Sequence, residues 1–408
     1  MKKQFLFSLF ILIATTQLSA QLGYWTLVTP FPGDERSAAT GFNIGTGAYV
    51  SCGIDSSGYK RSTYLYNPAT YSWTQMQSLG GVTGAGLSRD ITMSFVVGNN
   101  AYVVGGQGSI AYFNDTWKYD AFNDVWTQVQ NFGGGGRRSG VGFAVGSKGY
   151  VGLGQSSTGL NNDLWEYNPV TNIWVQKASY SGTARRLSVA FVIGAVAYVG
   201  TGDDGICKGD FFAYDPSVNT WTPKATLTGT PRYGSVGFTL NGKGYVGFGY
   251  DNTLSNRKDF FEYDPVSNSW VQMLDFPGSA RSNAVAIACP NGRAYMGTGY
   301  DSLFRNDWWE FDPLSNGLNE NRLDESMLTI YPNPMSASAT LSFDNAAFIL
   351  NEKMTVSIFD LSGKMLRQLE MKNTNVLQLE RDGMASGIYL VNVSSATHGV
   401  VTKRLIVE

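Results

Sequence analysis

The chain has 408 residues and a net charge near −2, with charged residues at only 15% beside 13% aromatics and 48 glycines. That balance excludes a basic nucleic-acid binder, a disordered polyelectrolyte and a helix-dominated protein, and the length allows two or three domains. Many short strands joined by tight turns suit it best.

The first 20 residues read as a signal peptide. Lys2 and Lys3 supply the positive end, Phe5 to Ala14 an apolar run, and Leu18-Ser19-Ala20 a small-residue cleavage site. The run is too short to cross a membrane and no later stretch approaches 18 apolar residues, so no transmembrane anchor is expected. The residue directly after Ala20 is Gln21 and not Cys, which argues against a lipid anchor. The three cysteines, Cys52, Cys207 and Cys289, cannot all pair internally and show no metal spacing. They read as packing or loop residues, with a Cys52–Cys289 bridge left open.

From Gln21 to about Gly317 one unit recurs. Trp73, Trp126, Trp174, Trp221 and Trp270 lie 53, 48, 47 and 49 residues apart, a period that marks a repeat array. Each unit opens on an Arg and an apolar run. A strand beginning at Tyr49, Tyr102, Tyr150, Tyr198, Tyr245 or Tyr295 follows, and then a variable loop. A third strand ends at Tyr66, Tyr119, Tyr167, Tyr214, Tyr263 or Phe311, and the Trp strand closes the unit. Four short strands per unit predict six four-stranded antiparallel sheets stacked radially, because one such sheet cannot bury its own faces. The sixth unit lacks its Trp: position 318 is Leu. Tyr24 to Val28 offers the missing strand, so the N-terminus is expected to complete the last sheet beside Trp308 to Phe311.

These residues resemble kelch repeats, with glycines, Tyr and Trp at set spacing over about residues 22–317. The glycine pair is Gly105-Gly106 in the second unit, Gly-x-Gly in the later ones, and only Gly53 beside Cys52 in the first. The resemblance implies an all-β chain with a β-propeller; six blades is the count from this sequence.

Arg36, Arg89, Arg137, Arg185 and Arg232 each lie 13 residues before the repeat Tyr, and Arg281 lies 14 before Tyr295. All six are expected to start the innermost strands, on the face that carries the loops after the glycines. The kelch resemblance implies that this face is a ligand site, where Arg binds carboxylates bidentately. The expected ligand is a carboxylated glycan or acidic peptide, with Tyr250 and Tyr300 as stacking surfaces. The competing expectation is that the Arg residues hold strand ends through loop carbonyls and aspartates. Asp115, Asp163, Asp210, Asp259 and Asp307 recur four residues before an aromatic and read as structural. The Trp residues read as core, with Trp308 or Trp309 the one candidate sugar platform.

Enzymatic readings are weaker. The single histidine, His398, lies outside the repeats, which removes copper-radical oxidase and Ser-His-Asp chemistry; no sialidase box appears. The runner-up is a carbohydrate epimerase or mutarotase using Asp203, Asp204, Asp251 or Asp301, none of them singled out. No metal or nucleotide motif appears, so no cofactor is expected.

Residues 318–326 read as a linker and 327–408 as a small β-sandwich of about seven strands. Tyr331-Pro332-Asn333-Pro334, Asp360 to Lys364 with Gly363, Gly387 and Tyr389, and the end from Lys403 resemble the type A sorting domain of the type IX secretion system. This resemblance implies recognition by the outer-membrane translocon, then release or surface attachment.

Overall fold

The structure is a computed structural model that describes residues 23–83, 87–314, 328–343, 354–360, 364–371, 374–395 and 399–408. The segments read as signal peptide and linker, Gly363 and His398 lie outside the described residues. The chain divides into two compact units, one ending at Leu314 and one beginning at Ser315.

Each repeat of the first unit folds as predicted into a four-stranded antiparallel meander, and there are six among the described residues. The innermost strands are Thr40–Ile44, Met93–Val97, Val141–Val145, Val189–Ile193, Val236–Leu240 and Val285–Cys289. Each touches the next around the ring, and the last touches the first. Blade one carries Thr40–Ile44 and blade six Val285–Cys289.

Three features repeat in every blade and cross to the neighbour. The Tyr opening the second strand packs on the third-strand aromatic of the next blade: Tyr49 on Tyr119, Tyr102 on Tyr167, Tyr150 on Tyr214, Tyr198 on Tyr263, Tyr245 on Phe311 and Tyr295 on Tyr66, with ring centroids 5.1–5.8 Å apart. The repeat Trp donates its indole N–H to a carbonyl of the blade before, as Trp174 does to Gln130 at 3.2 Å. Small residues let the blades approach: a Cβ on Gly149 would lie 2.0 Å from Phe95 of the preceding blade.

The sixth blade takes its outermost strand from the N-terminal part of the described chain. Tyr24–Val28 pairs antiparallel with Trp308–Asp312, placing Trp25 opposite Phe311 and Leu27 opposite Trp309. Trp25 is the missing repeat Trp, since its indole N–H donates to Leu274 O at 3.1 Å as the other five donate to their neighbours.

Two expectations are corrected here. Cys52, Cys207 and Cys289 are all free and buried, so there is no Cys52–Cys289 bridge. Cys52 follows a second strand and Cys289 ends an innermost strand, which in a meander are opposite ends of the blades. The six Arg residues also do not begin the innermost strands: each lies four residues earlier, as Arg36 precedes Thr40 and Arg281 precedes Val285.

The intervening residues form a belt. Ala38 N donates to Asn283 O, Ile91 to Ala38, Ser139 to Ile91, Leu187 to Ser139, Gly234 to Leu187 and Asn283 to Gly234, all at 2.7–3.1 Å. The six bonds close on themselves. All six residues have φ between 47° and 62°, a region that Ile and Leu normally avoid. One bond per blade to each neighbour holds them there.

The second unit has seven strands among the described residues. Leu328–Tyr331, Ser338–Phe343 and Val376–Glu380 form one sheet; Met365–Met371, Met354–Asp360, Gly387–Ser395 and Gly399–Val407 form the other, in that order. Their inner faces share one apolar core around Leu341, Val356, Val391 and Leu405.

Candidate functional site

The six predicted Arg residues do gather on the face of the glycine loops, but each is 0–1% exposed. A Cβ on Gly33, Gly134, Gly182 or Gly229, three residues earlier, would lie 2.6–2.9 Å from the guanidinium. A ring five residues earlier stacks on it: Phe31, Phe132, Tyr180 and Phe276 lie 4.6–5.2 Å from the respective Arg carbons. Nη1 donates to the carbonyl one residue past the second strand, from Cys52, Gly105, Leu153, Thr201, Phe248 or Thr298, at 2.9–3.2 Å.

In five blades a carboxylate closes the group. Asp115, Asp163, Asp210, Asp259 and Asp307 accept from both terminal nitrogens of Arg89, Arg137, Arg185, Arg232 and Arg281, with Nη2 to Oδ2 at 2.8–2.9 Å. These bidentate pairs serve the structural role, tying the loop to the strand end. Each Arg carbonyl also accepts from the glycine N–H of the blade before, in a second closed cycle: Gly53, Gly106, Gly154, Gly202, Gly249 and Gly299 donate at 2.8–2.9 Å. Those glycines have φ of 87–104°, and a Cβ on Gly154 would lie 2.5 Å from Arg138 O.

Above the buried ring lies a second layer that the sequence reading missed. The residue after each Arg pairs with the first loop residue of its own blade: Ser37 with Ile54, Asp90 with Gln107, Arg138 with Gln155, Arg186 with Asp203, Tyr233 with Tyr250 and Ser282 with Tyr300. Four blades join into one polar arc. Gln107 donates to Tyr59 Oη at 3.0 Å and accepts from Arg138. Arg138 and Arg186 both donate to Gln155 Oε1, at 3.1 and 3.0 Å, and Arg186 donates to Asp203 at 3.0 Å. The Arg-Arg doublets at 137–138 and 185–186 were the available signal.

Beside this arc Asp90 is 6% exposed, and its Oδ1 has no partner among the described residues. Burial pushes its carboxyl up to about 7, against the pull of Arg138. A carboxyl raised on folding destabilises the fold as it ionises. Its penalty is absent below about pH 4 and grows until about pH 7. Asp90→Asn is therefore expected to melt above the wild type at pH 8, with the difference shrinking as the pH is lowered; melting curves across that range check it.

Tyr300 presents its ring, 42% exposed, with Phe304 5.3 Å away, whereas Tyr250 is half-buried against Tyr233. The loop tips Ile110, Ile206, Leu254 and Leu303 are exposed on the same face. Of the two Trp residues weighed as a platform, Trp308 is fully buried, while Trp309 is half-buried and packs on Phe276. The aspartates weighed for proton transfer are all ion-paired: Asp203 with Arg186, Asp204 with Lys208, Asp251 with Arg257 and Asp301 with Arg305. Burial raises the Asp251 carboxyl, but bonds from Thr253 and Arg257 outweigh it and hold the group at about 2.

In the second unit Asn333 docks the final strand: its amide donates to Arg404 O and accepts from Ile406 N, both at 2.8 Å. Asn333 sits between Pro332 and Pro334, and Met335 just beyond them forms a parallel bridge with Val407. Tyr331 is 79% exposed. Tyr389 is buried and bonds Ala385 O at 2.7 Å. Asp360 Oδ1 accepts from Lys364 N, and Gly387 and Lys403 lie in the paired last strands.

With this geometry in view, the comparisons agree. Residues 43–231 match the KLHDC2/KLHL20/DRC7 Kelch-repeats domain, and residues 329–408 match the Secretion system C-terminal sorting domain. No curated protein matches the chain. One solved structure that it resembles, "Structure of YjhT", superposes with a TM-score of 0.59 at 17% identity, covering 69% of this chain and 95% of that one. At that identity the likeness speaks for the fold alone. The first unit is a kelch-type β-propeller. The chain thus carries kelch repeats over residues 43–231 and a type IX secretion sorting domain over residues 329–408, and that sorting domain implies the secretion machinery as a partner.

Proposed function

We propose that the propeller is an exported binding module, delivered to the cell surface or the medium by its C-terminal domain, and that its loop face takes a carboxylated glycan or an acidic peptide. The observation that carries this reading is the convergence of Arg138 and Arg186 on Gln155 Oε1. Each of these cations belongs to the accessible layer; the Arg186 side chain is 34% exposed, unlike the buried ring beneath. A ligand carboxylate would replace the shared amide oxygen as a stronger, charge-matched acceptor. The exposed Tyr300 ring and the aliphatic loop tips supply apolar surface around it.

The test is a glycan and peptide array on the exported protein, followed by affinities for the acidic ligands that bind. Arg138→Ala with Arg186→Ala is expected to weaken them by roughly tenfold to a hundredfold, about 1.4–2.8 kcal/mol. Acidic ligands that bind the double variant as tightly as the wild type would refute this reading.

A further inference from the structure

The sixfold pattern breaks at one place. In blade one the position equivalent to Asp115 and Asp163, 26 residues after the Arg, is Ser62. Arg36 is 1% exposed, as deeply buried as its five counterparts, yet no carboxylate pairs with it among the described residues.

Its hydrogen bonds are all to neutral groups. Nε donates to Asp34 O at 3.3 Å, and Nη1 donates to Cys52 O and Ser62 Oγ, both at 3.1 Å. The Phe31 and Tyr64 rings lie 4.6 and 5.7 Å from the guanidinium carbon. Nη2, which in every other blade donates to an aspartate Oδ2, has no such acceptor among the described residues. The nearest acidic side chains do not supply it, because Asp34 and Asp55 are both bound to Lys60, at 3.0 and 2.6 Å. Burial accordingly lowers the Arg36 pKa, despite the opposing fields of Tyr64, Cys52, Asp34 and Asp55. A buried cation without a counter-charge is costly, and the inexpensive remedy is an anion at the place a carboxylate would occupy.

We propose that Arg36 and Ser62 form a binding site for one small monovalent anion of halide size, which replaces in blade one the carboxylate present in the other five. Ser carries one heavy atom beyond Cβ where Asp carries three, and the ion takes the place of the missing carboxylate oxygens. The ion ties the first blade's loop to its strand end as the aspartates do elsewhere. It acts in the blade that also abuts the closing blade, so it stabilises the ring where the two ends of the repeat array meet.

The experiment uses the full chain. Crystals soaked in sodium bromide are expected to show an anomalous peak beside Arg36 Nη2 in the wild type and none in Ser62→Asp. In solution, chloride in place of sulfate at fixed ionic strength is expected to raise the wild-type melting temperature by a few degrees over the general salt effect that wild type and variants share, by binding linkage. Ser62→Asp should lose that response. Ser62→Asn, which fills the same space without charge, guards against a misfolded Asp variant and should also lose the bromide peak. No peak in the wild type, or a peak unchanged in both variants, overturns the proposal.

Discussion

A chain lacking residues 21–30 is expected to melt at least roughly 10 °C below the intact protein, or to lose its cooperative transition. Trp25 is 6% exposed, with Phe260, Phe276 and Phe311 at ring distances of 4.6–5.2 Å. Truncating such a Trp costs about 3–5 kcal/mol, and each kcal/mol moves a domain of this size by about 2–4 °C. The deletion removes more than that ring. It breaks the ladder from Tyr24 to Val28 and leaves Trp308–Asp312 as an unpaired edge. Trp25→Ala alone isolates the packing share. Calorimetry on both variants checks the closure: if the shortened chain melts with the intact one, the ring does not depend on its N-terminal strand.

Much of this was legible because the repeat is a physical necessity. A sheet with two apolar faces must be covered on both, so the missing Trp after Asp312 demanded a substitute, and Trp25 was the available residue. The Arg positions were legible too, but their surroundings were not. Arg137 and Asp163 each recur visibly, yet 26 residues separate them, and only the meander brings loop and strand end together. The expectation places all six ring cations, from Arg36 to Arg281, on the ligand face; all six are buried, and the accessible cations are the next residues in blades three and four, Arg138 and Arg186. The belt through Ala38, Ile91 and Leu187 left no sequence trace, because those residue types argue against positive φ. Hydrogen bonds between blades impose it. Asn333 shows the converse: its motif was plain in the sequence, while its task of seating the last strand depended on residues some seventy positions away.

Asp163→Ala is expected to destabilise the propeller by about 3 kcal/mol, toward the low end for breaking a buried pair. The reasoning turns on an asymmetry. The Arg137 side chain is 1% exposed and that of Asp163 20%. Removing the carboxylate leaves a guanidinium that no water can reach in numbers; it keeps Leu153 O and the Phe132 ring but no counter-charge. Arg137→Met instead leaves a carboxylate that is partly hydrated and still accepts from Trp165 Nε1 at 2.7 Å, so its cost should be smaller. The loss reaches the neighbouring blade, because Arg137 O accepts from Gly106 N across the blade junction. Urea unfolding of the two single variants separates the cases: an Asp163→Ala chain within about 1 kcal/mol of the wild type would mean that these pairs stabilise the ring no more than a surface ion pair does.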